Sequence, residues 1–585
     1  CARVCRHWHD CLPAPRQRLS RWLQQHAPVS WLANPHLALG FNSRTRSFLQ
    51  AANSPVLPAL MHLQQEQEQE QQKHRLSEIA QDAQQPSLAS PADPLLSRLL
   101  DYGLNQQLTR ADQLRLHKAE IDWPPGIVSR THFFSPCSRW LAIQLQMQPQ
   151  APRLLRLYGW EQGAWRQQVL VPDTAEPVGI CRFPSLPADT LISVHGLDIL
   201  TWRRVPGSRD WHCTPLWRVT DSHAVREIST LDNGGLVLLT SRTQTELLVQ
   251  FFAHTGSGTG WDPVVTATYT SFPLFWAMEE QSCQLAIGEC AHDPCHNHFI
   301  NKVHIWHRVH STDSQQTWEH QTTVLSCHDA RIKGLAYSPG GHYLAGRLSN
   351  DSICLWQLDA QHQLLQQLTL PDCQLPTQVS FYRLAPFSRD ATQLAMPCSL
   401  RHIQLCYRDD NNHWQYGQRL EAPPLPAQPR GDMLEDIMMS SSGRTLVRVT
   451  LCHLDIWHRD PAGHWEHLLQ RIRKANAAFF PTACFMEPGE LVCTTVQDPE
   501  LSLWIHGPDS QGQLVRKACM TVEVPISGRL AVTSDGLSLL LSTAVHPPTL
   551  LHLEPPQVNA TGSQAEQALT PVSEPAPRQH RCQLL

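Results

Sequence analysis

The densest run of metal-ligating residue types is Cys290-Ala-His292-Asp-Pro-Cys295-His-Asn-His298. Zinc takes four ligands in a tetrahedron, with thiolate sulfur and imidazole nitrogen as usual donors. One loop could bring these groups to one ion, but the paired C-x-x-C knuckles of a structural zinc site are missing. A long hairpin loop is the plainer expectation, and no metal is assigned. His304, His307 and His310 follow on the adjoining strand. Alternation puts 304 and 307 on opposite faces, so they are expected as rim histidines. Trp465-Glu466-His467 sets an acid beside an imidazole, again without a second histidine at zinc spacing. No G-x-S-x-G elbow, H-E-x-x-H pair, P-loop or G-x-G-x-x-G turn occurs, so no catalytic residue and no cofactor are assigned. At the far end, Cys582-Gln-Leu-Leu585 has the C-a-a-X form, and a final Leu favours geranylgeranyl transfer. Cys582 is therefore the candidate prenylation site, and membrane contact is expected only if it is modified. Stable anchoring takes two signals, and Arg578 and Arg581 supply only a weak second one.

Composition limits what can position such residues. Of 585 residues, 41% are hydrophobic and 17% charged, enough for a large core and against bulk disorder. The net charge of −5, with no long basic run, argues against nucleic acid as a main partner. The 19 cysteines are odd in number and several sit inside apolar runs (Cys354, Cys406, Cys484, Cys493), as reduced cytosolic thiols do. No stretch approaches the 18 apolar residues of a spanning helix and no leader is visible, so a soluble cytoplasmic chain is expected. The chain opens on Cys1 rather than Met, as expected of a piece or a trimmed product.

One stretch, Cys327 to Asp359, shows how the positioning elements are built. I-K-G-L-A-Y, H-Y-L-A-G-R and S-I-C-L-W read as three short strands, joined by the turns S-P-G-G and S-N-D. The pattern recurs. Tyr158, Trp202, Trp306, Trp356, Tyr407, Trp457 and Trp504 close a third strand, and a second tryptophan follows a polar loop at Trp165, Trp211, Trp261, Trp318, Trp414 and Trp465. From Trp165 to Trp465 is 300 residues, or six periods of 50. Tryptophans at that spacing are expected as core and blade-edge packing. Eight full units fall between about 125 and 523, and a ninth, Arg529 to Leu553, has three strands and no fourth. A ring must hide its edges, so the missing strand is expected from before the first unit, near Leu114 to Trp123.

The stretch around Trp356 resembles a WD repeat: His328 precedes the first strand, Trp356 closes the third, and the family's buried aspartate falls on Asn350. The resemblance implies a mainly β fold, a WD-repeat-like β-propeller of eight or nine blades, with seven also within range. At the other end, C-A-R-V-C-R-H-W sets Cys1, Val4, Cys5 and Trp8 at helical spacing and resembles the second half of an F-box. That resemblance implies that Val4, Cys5 and Trp8 belong to a helix bundle that docks a Skp-type linker on a cullin scaffold. The propeller would then capture a substrate protein for ubiquitin transfer. The chain divides into an F-box-like helical remnant (1–35), a helical and low-complexity spacer (36–118), the propeller (119–555) and a disordered tail (556–585). The expected function is a non-enzymatic substrate-recognition adaptor binding protein partners. The alternatives are a scaffold without a ubiquitin link, tethered through Cys582, and a propeller-based hydrolase.

Overall fold

In the computed structural model the residues described are 23, parts of 43–69, 94–110, parts of 114–121 and, with interruptions at connecting loops, 128–554. Blade 1 runs from the strand Val128–Phe134 to Ala164–Leu170, blade 2 from Val178–Arg182 to Trp211–Arg218, and blade 3 from Ala224–Thr230 to Trp261–Tyr269. Blade 4 runs from Phe275–Glu279 to Gln316–Leu325, blade 5 from Ile332–Tyr337 to Leu364–Leu370, and blade 6 from Gln393–Pro397 to Trp414–Glu421. Blade 7 runs from Leu434–Met439 to Trp465–Ile472, and blade 8 from Ala483–Met486 to Leu514–Thr521. All are antiparallel meanders of four strands except blade 6, where three strands are described and an isolated bridge from Phe387 to Leu394 stands in the first position.

Blade 9 closes the ring. Its own strands are Leu530–Val532, Ser538–Leu541 and Thr549–Glu554, and its outer strand is Arg115–Lys118, paired from Arg115↔Glu554 to Lys118↔Leu551. The fold is thus a nine-bladed β-propeller whose last blade takes its outer strand from ahead of the first. A second closure joins the two ends, where the Asp535 amide donates to Ser138 Oγ at 3.0 Å.

Each blade is apolar where neighbours cover it and polar where they do not. The second strands Thr190–His195, Tyr343–Leu348 and Thr445–Thr450 are buried at every position. The outer strand Trp211–Arg218 is buried only at its first residue. A strand covered on both faces is mostly apolar and any polar side chain in it needs a partner, whereas an edge strand alternates.

The turn between first and second strands is built the same way in five blades. Ser135, Ser338, Ser388, Ser440 and Thr533 each accept a hydrogen bond at their hydroxyl from the amide five residues on, at 2.9–3.0 Å. Three residues after each hydroxyl the backbone is left-handed, at Ser138, Gly341, Ala391, Gly443 and Gly536. Glycine fits there without strain. At Gly443 a side chain would meet a second obstacle, since a Cβ would lie 2.7 Å from Gln393 Nε2.

Ahead of the ring, helices α1 (Ser43–Ala51), α2 (57–66) and α3 (Pro94–Arg110) form a small unit. Pro94 starts α3, where its missing amide costs nothing. Leu96, Leu99, Leu100, Leu104 and Leu108 recur at helical spacing and are buried. Gly103 lets α3 approach closely: a Cβ there would lie 2.5 Å from Val56 Cγ2. These helices share one apolar core with blades 8 and 9, including Leu491, Leu503, Ile505, Leu539 and Leu553.

Candidate functional site

In a meander, the loops joining strands 1–2 and 3–4 lie at one end of the ring. At that end the 3–4 loops of blades 5 to 8 share a device that spacing alone did not disclose. Asp359, Asp409, Asp460 and Asp509 each accept at Oδ1 from the amide four residues on (Gln363, His413, His464, Gln513) at 2.7–2.8 Å. Asn412, Gly463 and Gly512 take the left-handed position one residue before that amide. The hydrogen bond from the His413 amide, opposed in part by burial, holds the Asp409 carboxyl below the usual range. The His464 amide does the same for Asp460. An aspartate five residues ahead of an outer strand was the available signal.

Neighbouring turns at this end are tied across blades. Trp140 Nε1 and Arg139 Nη2 of blade 1 both donate to Asp189 Oδ1 of blade 2, at 2.6 and 2.9 Å. Arg389 N donates to the Ser441 carbonyl at 3.0 Å, and His458 Nε2 lies 2.9 Å from the Gly512 carbonyl. The result is a rim whose loop backbone is fixed while Asp410, His413 and His464 remain exposed. Exposed loop residues on a rigid scaffold are where binding residues are most often found.

Two polar centres lie inside the wall. In blade 7, Arg448 and Asp455 are opposed in register, and Arg448 Nε and Nη2 reach Asp455 Oδ2 at 3.1 and 2.5 Å. His467 Nε2 lies 3.1 Å from Asp455 Oδ1, and the Arg448 guanidinium stands 5.7 Å over the Trp457 ring. Burial alone would raise the Asp455 pKa; the His467 hydrogen bond and the Arg448 charge outweigh it and hold the group ionised. Of Glu466-His467, then, the imidazole turns inward to Asp455 and the acid stays exposed.

The second centre overturns the rim reading of His304, which is buried. Its Nε2 lies 2.9 Å from Glu289 Oε2, and its Nδ1 lies 3.1 Å from both Thr322 Oγ1 and His320 Nε2. His320 in turn stacks on Trp306, at 4.6 Å between centroids, and Trp306 Nε1 donates to the Tyr269 hydroxyl at 2.6 Å. Burial pushes Tyr269 up to about 12. Alternation was sound; it could not tell that the 304 face is roofed by Tyr269 of blade 3. His307 faces the other way and pairs with Glu319 at 3.5 Å.

The Cys290–His298 run is the expected long hairpin, Gln284–Asp293 turning back into His298–His310. Cys290 is buried in it, and burial pushes its thiol up. Residues 294–297 lie outside the described residues, and among the described ones no group of three or more His, Cys, Asp or Glu could hold a metal.

Trp356 is buried as expected. It lies over Gly346, where a Cβ would come within 2.4 Å of Cζ3. Asn350 departs from the buried position that the WD-repeat resemblance gives it. It is exposed, and its Oδ1 accepts from the amide and the hydroxyl of Ser352 at 3.1 and 2.6 Å, a turn contact that needs no burial. His328, Val4, Cys5, Trp8 and Cys582 lie outside the described residues. Tyr407, read as the aromatic end of a third strand, is 43% exposed, and Cys406, one residue earlier, takes the inward place opposite Leu394.

No family model and no curated protein matches this chain. Among solved structures it is similar to Chaetomium thermophilum Sqt1 bound to the N-terminus of ribosomal protein L10, with 14% identity, 61% of this chain and 91% of that one covered, and a TM-score of 0.39. It is also similar to Kluyveromyces lactis Hsv2, with 12% identity, 60% and 100% covered, and a TM-score of 0.36. A Lactobacillus plantarum protein matches at 15% identity, 56% and 92% covered, and a TM-score of 0.34. At such identities the likeness bears on fold alone, and the count of nine blades rests on the strand pairing itself.

Proposed function

We propose that this chain is a non-catalytic adaptor that captures a protein partner on its propeller and presents it, through its N-terminal helices, to a Skp-type linker of a cullin-based ubiquitin ligase. The observation that carries the reading is the core shared by α1 to α3 with blades 8 and 9. An adaptor must hold its docking end and its capture surface at a fixed distance. An apolar core does that where a flexible linker would not. Val4, Cys5 and Trp8 supply the F-box-like face, and the loop rim supplies the capture surface. Co-purification of the full chain with a Skp-type linker is the test. Retention that is lost in a Val4→Ala, Cys5→Ala, Trp8→Ala triple variant, with the propeller still folded, is the expected result. A full chain that retains no linker leaves a scaffold without a ubiquitin link.

One observation favours a hydrolase as a second reading: Glu289, His304 and Thr322 stand in the order acid, imidazole, hydroxyl. Such an arrangement is the geometry of an activated nucleophile. Against it, His304 Nδ1 is shared with His320. A hydrolytic activity that disappears in Thr322→Ala would support this reading over the first.

A further inference from the structure

Most cysteines of the ring stand opposite something other than a thiol: Cys181 pairs with Ser193, Cys290 with Asn301, Cys406 with Leu394 and Tyr416. Cys484 and Cys493 are different. They sit on the first and second strands of blade 8, directly opposed in antiparallel register, and both are reduced. Directly opposed residues of an antiparallel pair have Cα atoms about 4.5 to 5.5 Å apart, within the span of about 4.4 to 6.8 Å that a disulfide needs. The bond could therefore close without moving either strand far.

We propose that Cys484 and Cys493 form a reversible redox pair, oxidised to a cross-strand disulfide by peroxide or by glutathione disulfide. Access and order follow from burial. Cys484 is half-buried and meets the oxidant first, whereas Cys493 is fully buried and acts from within. With peroxide, the Cys484 sulfur is oxidised to a sulfenic acid as the O–O bond breaks and one water leaves. The Cys493 sulfur then attacks it, the S–S bond forms and a second water leaves. With glutathione disulfide, Cys484 displaces one glutathione and Cys493 displaces the other. Burial, reinforced by the contact with Cys484, keeps the Cys493 thiol protonated, so the closing step is slow without a prior adduct at Cys484. The position of the disulfide gives it a lever. Cys493 belongs to the core shared by the helical unit and blades 8 and 9, and Cys484 packs against that core.

The test uses the reduced full chain. Tryptic cleavage leaves residues 475–516 as one peptide that holds both thiols and no other cysteine. After mild peroxide, alkylation and digestion, this peptide should be lighter by two hydrogens and carry no alkyl group, and dithiothreitol should restore it. The exposed Cys213 and Cys519 are internal markers of oxidant dose. In Cys493→Ser the same treatment should leave Cys484 as a sulfenic acid, and glutathione disulfide in place of peroxide should leave it as a glutathione adduct. If the peptide takes two alkyl groups at a dose that oxidises Cys213 and Cys519, the pair does not exist. Near-unchanged melting of a Cys484→Ala, Cys493→Ala variant checks that the effect belongs to the thiols and not to misfolding.

Discussion

Removing the Asp455 carboxylate should be among the most damaging single changes to the ring. Arg448 and Asp455 are 2% and 0% exposed, so Asp455→Ala leaves a guanidinium inside the wall with its two contacts gone. Breaking a buried pair by deleting one partner costs about 3–5 kcal/mol, more than the pair itself contributes, because the surviving charge cannot be solvated. The ~440 residues from Arg115 to Glu554, melting as one unit, would have an unfolding entropy of about 0.9 kcal/mol/K. The midpoint should then fall by about 3–5 °C. Blades that melt in separate groups would show a larger local drop. Scanning calorimetry of wild type, Asp455→Ala, and a cycle of Asp455→Leu, Arg448→Met and the double Arg448→Met, Asp455→Leu measures the coupling. The double variant should recover most of the loss, since apolar residues of similar volume fill the site without stranding a charge. A double variant whose loss equals the sum of the two singles would refute the reasoning.

Ring closure and pH offer two further checks. Ala119 donates to the Leu550 carbonyl at 2.8 Å, and alternation then puts His117 in the hydrogen-bonded register opposite His552. His117→Pro should cost about 3 kcal/mol or more and free the edge of Thr549–Glu554 for aggregation, seen as early light scattering on heating, while His117→Thr should not. Burial, with His304 adding to it, holds His320 below 6.5, and burial does the same for His458 against the hydrogen bond at Gly512. The unfolded chain binds those protons more readily, so stability is complete above about pH 7 and falls as pH drops through about 6.5. Asp455, Asp409 and Asp460 are lowered, so their contribution survives to below pH 4 and is lost in a second step. Melting from pH 8 to 3 should show both steps, and His320→Gln with His458→Gln should remove the first.

The ring was legible because its signals are local. Turn residues and tryptophans recur along the chain whatever lies across from them, and a unit with three strands can only be completed from elsewhere. What was not legible depends on neighbours. His304 and His307 look alike in sequence, yet Tyr269, from the preceding blade, roofs the first. Tyr407 reads as the aromatic end of a third strand, but the tryptophan register opposite Leu394 falls on Cys406, and Tyr407 lies one residue beyond on the exposed face. Asp455 sits in an otherwise apolar run, and only the register opposite Arg448 shows why a charge is tolerated there.

The same contrast explains how a propeller can keep its shape while Asn350 faces solvent. The indole or guanidinium at the wall of each blade needs some partner, but no particular one. In blade 2, Trp202 Nε1 donates to Ser193 Oγ at 2.8 Å, and His195 Nε2 lies 2.9 Å from that oxygen. In blade 4 the Trp306 partner is Tyr269, and in blade 7 the Arg448 guanidinium donates to Asp455. Each arrangement satisfies a buried polar group, which is what stability requires. The backbone devices, by contrast, repeat: a hydroxyl at the first turn in five blades and an aspartate at the last loop in four. Backbone geometry is the same in every blade and admits few solutions, whereas a side-chain partner need only reach. Divergence therefore accumulates in the side-chain partners while the turns stay recognisable.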